Sequence, residues 1–265
     1  MQSALITGTS SGLGRGLAQR LHDRGWDVIG TVRDEAHGIG APWTCVLADV
    51  TSPADIARLG QIVQSRWGKL DALVNNAGIC QIGPWEELSD QEITHQLNVN
   101  LIGAMNLVRQ TLPMLRQGPG VIIQISSDSG QIAEAMFGAY NASKFALEGA
   151  SEALLEEVEP DGVRVVIVEP GNFRTQISRN SPQPQGKNST QRYSAQWKKI
   201  DEWLTWHGNE SPIPEKCIDA IVAAITNQDA PFRLAVGQDV SESIRLRAKK
   251  IISQMDASDK FLNSH

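Results

Sequence analysis

The chain has 265 residues, 41% hydrophobic and 20% charged, an ordinary globular composition that suffices for one sizeable core. Thirty acidic against 24 basic residues leave a formal charge of −6, which disfavours nucleic acid or an anionic membrane as a partner held by bulk electrostatics. No apolar run approaches the roughly 18 residues of a membrane span and MQSALITG lacks a leader pattern, so a cytoplasmic protein with no membrane span is expected. Cys45, Cys80 and Cys217 form no CxxC pair and the five histidines no HExxH, so neither a disulfide framework nor a metal site is expected.

Short β-branched runs alternate with longer helical stretches along the chain. Strands are predicted over 3–7, 26–32, 43–48, 70–75, 120–126, 163–169 and 232–236, and helices over about 12–24, 53–67, 89–116, 138–159 and 214–226. Stretches of that length serve as crossovers between parallel strands, and the almost continuously apolar strands call for helices on both faces. The expected fold is α/β, a doubly wound parallel sheet of about seven strands in a single domain over 1–265. A polar segment rich in Ser, Pro, Asn and Gln (176–191) opens an insertion over about 176–212, which reads as a lid or as a neutral surface loop and carries Arg179, Lys187 and Arg192. The helical stretch 195–206 follows, and its Trp203, Leu204 and Trp206 either close over an apolar substrate or pack on the core. The last 25 residues, 241–265, read as an amphipathic basic helix with a frayed tail, suited to peripheral docking or a subunit contact.

The segment TGTSSGLG (7–14) leaves the first strand and opens a helix at Leu13. Gly8, Gly12 and Gly14 allow a sharp turn and a close ligand approach, Ser10 and Ser11 can cap the helix, and its free N–H groups suit a pyrophosphate. Such a turn at the first strand-to-helix junction of a Rossmann-type sheet is where dinucleotides bind. The same residues read G-x-S-x-G, the nucleophile elbow of hydrolases, but an elbow at Ser10 would have no upstream loop to supply its second oxyanion donor. In TVRDEAH (31–37), Val32 stands where an acidic side chain would grip a ribose 2′-hydroxyl, and Arg33 follows. A guanidinium there binds a 2′-phosphate, so NADP(H) is preferred; the adjacent Asp34 keeps NAD(H) possible.

Tyr140 and Lys144 lie i,i+4 on a predicted helix and share a face. An ammonium close to a phenol favours the phenolate, and a tyrosine so tuned can exchange a proton with a carbinol oxygen. Ser127, thirteen residues before Tyr140, ends a strand at the same sheet edge as the glycine turn. With these residues in place the chain resembles the short-chain dehydrogenase/reductase family over about residues 2–175, through TGTSSGLG, ADV (48–50), NNAG (75–78), ISS (125–127), YNASK (140–144) and PGNFRT (170–175). TVRD and FALEG are most similar to its hydroxysteroid and retinol dehydrogenase-like members.

The resemblance implies a catalytic tetrad of Asn100, Ser127, Tyr140 and Lys144, with Asn100 of NLIG chosen over Asn98. In such enzymes Tyr140 would be the acid/base and Ser127 would hold the substrate oxygen. Lys144 would bind the nicotinamide ribose and lower the tyrosine's pKa, and Asn100 would fix a water of a proton relay. The cofactor would rest on Gly8, Ser10, Ser11, Gly12, Leu13, Arg33, Asp49, Val50, Asn76, Ala77, Gly78, Pro170, Gly171 and Thr175, besides Tyr140 and Lys144. Ile79, Cys80, Gln81, the stretch 132–137, Asn172 and Phe173 would line the remaining pocket. The expected activity is hydride transfer between NADP(H) and a small-molecule secondary alcohol, ketone or aldehyde, with a non-catalytic NADP(H)-sensing protein as the alternative. A homodimer or homotetramer is expected through the helices near 98–116 and 138–159.

Overall fold

The computed structural model describes residues 1–175, 177 and 182–264; Arg179 of the polar segment and the terminal His265 lie outside the described residues. In chain order the elements are β1 (Ser3–Ile6), α1 (Gly12–His22), β2 (Asp27–Val32), β3 (Thr44–Leu47), α2 (Pro53–Trp67), β4 (Ala72–Asn75), α3 (Asp90–Leu97), α4 (Ala104–Leu115), β5 (Val121–Ile125), α5 (Gly138–Val158), β6 (Arg164–Pro170), α6 (Ser194–Asn209), α7 (Glu215–Thr226), β7 (Arg233–Val236) and α8 (Val240–Asn263). All seven predicted strands are present and pair in parallel in the order β3-β2-β1-β4-β5-β6-β7. The chain reverses its direction of travel between β1 and β4, which opens a crevice at the C-terminal edge of the sheet.

Strand alternation divides the core into two layers. Leu5, Leu73 and Ile122 face one way and meet α2, α4 and α5 through Leu59, Leu107 and Leu154. Ile6, Val74 and Ile123 face the other way and meet α1 and α7 through Leu17, Leu21 and Ile221. Both faces of the central strands β1, β4 and β5 are therefore removed from water, which is why their sequences are almost continuously apolar, while the edge strands β3 and β7 stay half-buried. Local signals set the helix ends: Ser52 caps the start of α2 by accepting from Asp55 N, Pro53 occupies its first turn, and Gly68 closes it at φ 64°.

The stretch expected as one helix over 89–116 is divided. α3 runs into a π-helical turn, Asn98–Gly103, before α4 begins. The wider turn brings Gly103 against the backbone of Val50, where a Cβ would stand 2.6 Å from the Val50 carbonyl oxygen. Hydrophobic periodicity does not distinguish such a turn from continuous α-helix. Among the described residues no helix is long and apolar enough to cross a membrane, and no group of His, Cys, Asp or Glu is arranged to hold a metal ion.

Candidate active site

A cavity of about 460 Å³ occupies the crevice at the C-terminal edge. One arm runs from the glycine turn past the ends of β2 and β3, and the other reaches α6. Gly8 and Gly12 adopt φ values of 72° and 56°, a conformation that costs glycine little. A Cβ at Gly14 would collide with the Gly8 carbonyl and the Asn76 amide. The turn is braced from β4: Thr7 Oγ1 accepts from Asn76 N and Ala77 N at 3.0 and 2.9 Å, and Asn76 Nδ2 donates to the carbonyls of Thr7 and Gly8 at 2.8 and 3.0 Å. Ser11 takes the N-cap position of α1, but contrary to the capping expectation its hydroxyl makes no cap hydrogen bond, and no acidic residue stands in the first helical turn. The helix N-terminus is thus left open to an anion, which fits a dinucleotide pyrophosphate.

Every residue expected to hold the cofactor lines this cavity, from Gly8 and Ser10 to Leu13 through Arg33, Asp49, Val50, Asn76, Ala77 and Gly78 to Pro170, Gly171 and Thr175. The carboxylate of Asp34, adjacent to Arg33, is engaged elsewhere: its Oδ1 accepts from Ala36 N at 2.9 Å and caps a short 3₁₀ turn. Asp49 Oδ1 accepts from the backbone and hydroxyl of Thr51, both at 2.8 Å, which shapes the turn after β3 at the cavity's edge.

Three tetrad members meet in the middle of the cavity. Tyr140 and Ser127 line the same stretch of the cavity, and Lys144 Nζ stands 5.8 Å from the Tyr140 ring centre. Lys144 Nζ also donates to the carbonyl of Ile125 at 2.7 Å, which fixes α5 against the end of β5. Ser127 Oγ donates to Asp128 Oδ1 at 2.8 Å. Asn100 is placed differently. Its side chain does not line the cavity but bonds both the N–H and the carbonyl of Ile79 and the hydroxyl of Ser143, at 2.9, 3.0 and 3.0 Å. It ties the loop after β4 to α5 from within the π-helical turn.

The electrostatics of the chain alone differ from the expected tuning. Burial pushes the Tyr140 phenol up, reinforced by Cys80, and the nearby Ser127 only partly opposes this. Burial brings Lys144 down to about 8 against the pull of Glu148. Both groups are buried, and the cost of desolvating a phenolate sets the direction at Tyr140.

Behind Lys144 lies a polar cluster that motif reading missed. Glu148 sits one turn further along the same face of α5, buried, and Gln131 Nε2 donates to Glu148 and Glu169 at 3.2 and 3.1 Å. Arg233 reaches Glu148 at 3.0 Å and Glu169 at 3.6 Å. Burial, and then the charge of Glu148, lift Glu169 to about 7. The i,i+4 spacing of Lys144 and Glu148 was the available signal; the contributions of β6 and β7 have none in sequence.

The other arm of the cavity is more apolar. Phe137 meets Trp203 edge to face at 5.4 Å, and Trp203 stacks obliquely on His207 at 4.9 Å. Ile79, Cys80, Asn172 and Phe173 line the cavity as expected, and the 132–137 stretch contributes Glu134 and Phe137. Gln81 does not: it is buried, bonding Gln96 through its N–H and the Pro182 carbonyl through its amide. Trp206 also lies outside the lining, so of the two α6 tryptophans Trp203 and Trp206 the former faces the cavity. His95 and His207 line it without any motif announcing them. α6 is held by Glu87, whose carboxylate accepts from Trp197 Nε1, Asn188 N and Thr190 Oγ1 at 2.8, 3.1 and 3.2 Å.

A phosphate-ready glycine turn continuous with a Ser–Tyr–Lys centre on a Rossmann-type sheet defines a nicotinamide-dependent oxidoreductase. Residues 2–186 match the family described as short chain dehydrogenase, and the chain belongs to the short-chain dehydrogenase/reductase family. It is 36% identical over 239 residues to a protein named 3-ketodihydrosphingosine reductase from Bacteroides thetaiotaomicron, covering 89% of this chain and 88% of that one. Its fold matches a Burkholderia phymatum short chain dehydrogenase/reductase in complex with NAD at a TM-score of 0.83, 25% identity and coverage of 96% and 95% of the two chains. A Burkholderia cenocepacia short chain dehydrogenase in complex with NADP matches at a TM-score of 0.72, 27% identity and coverage of 100% and 98%.

Proposed function

We propose that the protein is an NADP(H)-dependent carbonyl reductase or alcohol dehydrogenase acting on a secondary alcohol/ketone or aldehyde carbon. The observation that carries this reading is the position of Tyr140, which shares the cavity lining with Ser127 and stands beside Lys144, where the cofactor arm and the apolar arm of one cavity join. When bound, the nicotinamide supplies or accepts the hydride. Ser127 Oγ holds the substrate oxygen, and Tyr140 gives it a proton during reduction and removes one during oxidation. Lys144 orients the ribose end of the cofactor and adds positive charge beside the phenol. Asn100 is a positioning residue that holds the Ile79 loop and Ser143 around this centre.

Preference for NADP(H) is supported by Arg33, which is exposed on the cavity wall while the neighbouring Asp34 is engaged in its own turn. The segment containing α6 serves as a lid, with Trp203 and Phe137 enclosing an apolar substrate body. A ketone is favoured, since the Bacteroides relative is named for the reduction of one. The reading includes a cytoplasmic location and a homodimer or homotetramer through α4 and α5, supported by exposed Ile102 in the turn leading into α4 and Phe145 on α5. Oxidation of NADPH and NADH is to be followed against ketones, aldehydes, steroids and sugar-derived carbonyls, beside Tyr140→Phe. Turnover with NADPH that falls by about 10²–10⁴-fold in the variant, with cofactor binding retained, is expected. NADPH binding without turnover in either direction would overturn the reading in favour of a sensing protein.

A further inference from the structure

α8 is 24 residues long, about 36 Å at 1.5 Å per residue, yet Val240 is the buried residue of its whole length. Val240 packs against Gly171 and Gly237, which anchors the first turn, and from Ala248 to Ser264 every residue is exposed. This outer part is not uniformly polar. Ile244, Ala248, Ile251, Met255, Ser258 and Leu262 recur at alternating spacings of four and three, the a/d seam of a helix pair, and Ile252 flanks it. Ile252 and Leu262 are 61% and 68% exposed, so among the described residues the seam is uncovered from Ala248 onward, while Ile244 at its start is half-buried.

Charge along the helix is asymmetric. After Glu242 the first half is crowded by Arg245, Arg247, Lys249 and Lys250 with no acid between Ser243 and Met255, whereas in the second half Asp256 and Asp259 outnumber Lys260. A parallel partner would set one basic half against the other. An antiparallel partner aligns Ile244 with Leu262, Ala248 with Ser258 and Ile251 with Met255 of the second copy, so that every seam position finds a seam position. The same register places Arg245 beside Asp259 of the second copy, twice by symmetry, and brings the two Ile252 side chains together. A lipid surface fits less well, because Asp259 falls at a helical angle between Ala248 and Ile252 and would be pressed into the apolar phase.

We propose that α8 is a self-association element that pairs antiparallel with α8 of a second copy of this chain, about a two-fold axis near Ser253. It is separate from α4 and α5 and does not depend on the reaction assigned to the cavity.

The test uses the full chain with cysteines placed on α8 and wild type as the background for its three native cysteines. Under mild oxidation Ile252→Cys is expected to form a covalent dimer. Arg245→Cys alone is expected to stay uncross-linked, and co-expressed Arg245→Cys and Asp259→Cys chains are expected to cross-link to each other. In sedimentation equilibrium, Ile251→Glu combined with Met255→Glu is expected to halve the assembly mass without moving the thermal transition of the fold. Self-cross-linking of Arg245→Cys, absence of cross-linking in Ile252→Cys, or an unchanged mass in the double variant each overturns the proposal. Sedimentation of wild type with phosphatidylglycerol vesicles, while Ile252→Cys stays uncross-linked, would overturn it in favour of a lipid surface.

Discussion

Arg33 and Asp34 are neighbours in sequence with opposite charges and different settings: Arg33 is exposed and lines the cavity, while the Asp34 carboxylate caps its own turn. Arg33→Ala is therefore expected to weaken NADPH binding by about 1.5–3 kcal/mol, the scale of a hydrogen bond to a charged group, and to leave NADH nearly unchanged. Calorimetric titration of both cofactors checks this, and equal losses would count against a 2′-phosphate contact. Gly14 is a steric requirement of a different kind. The Gly8 carbonyl and Asn76 amide occupy the space of its Cβ, so Gly14→Ala is expected to cost about 1–3 kcal/mol in urea unfolding and to impair cofactor binding as the turn shifts. Between Tyr140 and Lys144, burial sets both directions: the phenol lies above its ordinary range and the ammonium is brought down to about 8.

Among the elements, α6 shows how a segment remote in sequence becomes part of the site. Its Trp197 is buried and bonded to Glu87, and the same carboxylate collects Asn188 and Thr190. Burial raises the pKa of Glu87, but the bonds from Trp197, Asn188 and Thr190 together outweigh it and hold the carboxyl below its ordinary 4.5. A depressed carboxyl contributes stability above its unfolded pKa and loses it as pH falls through the lower folded value. Proteolytic cleavage within 182–193 is thus expected to rise on acidification below about pH 4.5, and Glu87→Gln should show raised cleavage already at pH 7. Equal cleavage of both proteins at pH 7 would mean that the carboxylate does not hold this segment. The division of the 89–116 stretch by the π-helical turn follows the same logic, since the approach of Gly103 to Val50 is a packing demand from β3's outgoing loop.

Across the whole molecule, Glu148 on α5, Glu169 on β6, Arg233 on β7 and Gln131 in the loop after β5 converge behind Lys144. Glu169 is lifted from 4.5 to about 7, so the folded state prefers it protonated; its stabilising contribution is fully present below pH 4.5 and is lost as pH rises through 7. Glu169→Gln keeps the size and removes the titration. Its melting temperature relative to wild type is expected to rise between pH 5 and pH 8, and a pH-independent difference would show that the carboxyl does not titrate in this window.

What was legible in the chain was what depends on near neighbours. Seven strands, both helical layers, the glycine turn and the Ser127, Tyr140 and Lys144 motifs all follow from periodicity, local turn chemistry and short spacings. Side-chain direction and long-range convergence were not legible: the withdrawal of Asn100 and Gln81 from the cavity, the outward Trp206, the entry of His95 and His207, and the Glu148–Glu169–Arg233 cluster. The physical reason is that a sequence pattern determines which residues an element presents, because backbone geometry repeats every 2 or about 3.6 residues. Which presented residues meet is decided by the packing of elements brought together from 20 to 110 positions apart, and there burial and hydrogen-bond satisfaction select among arrangements that the local pattern leaves equal.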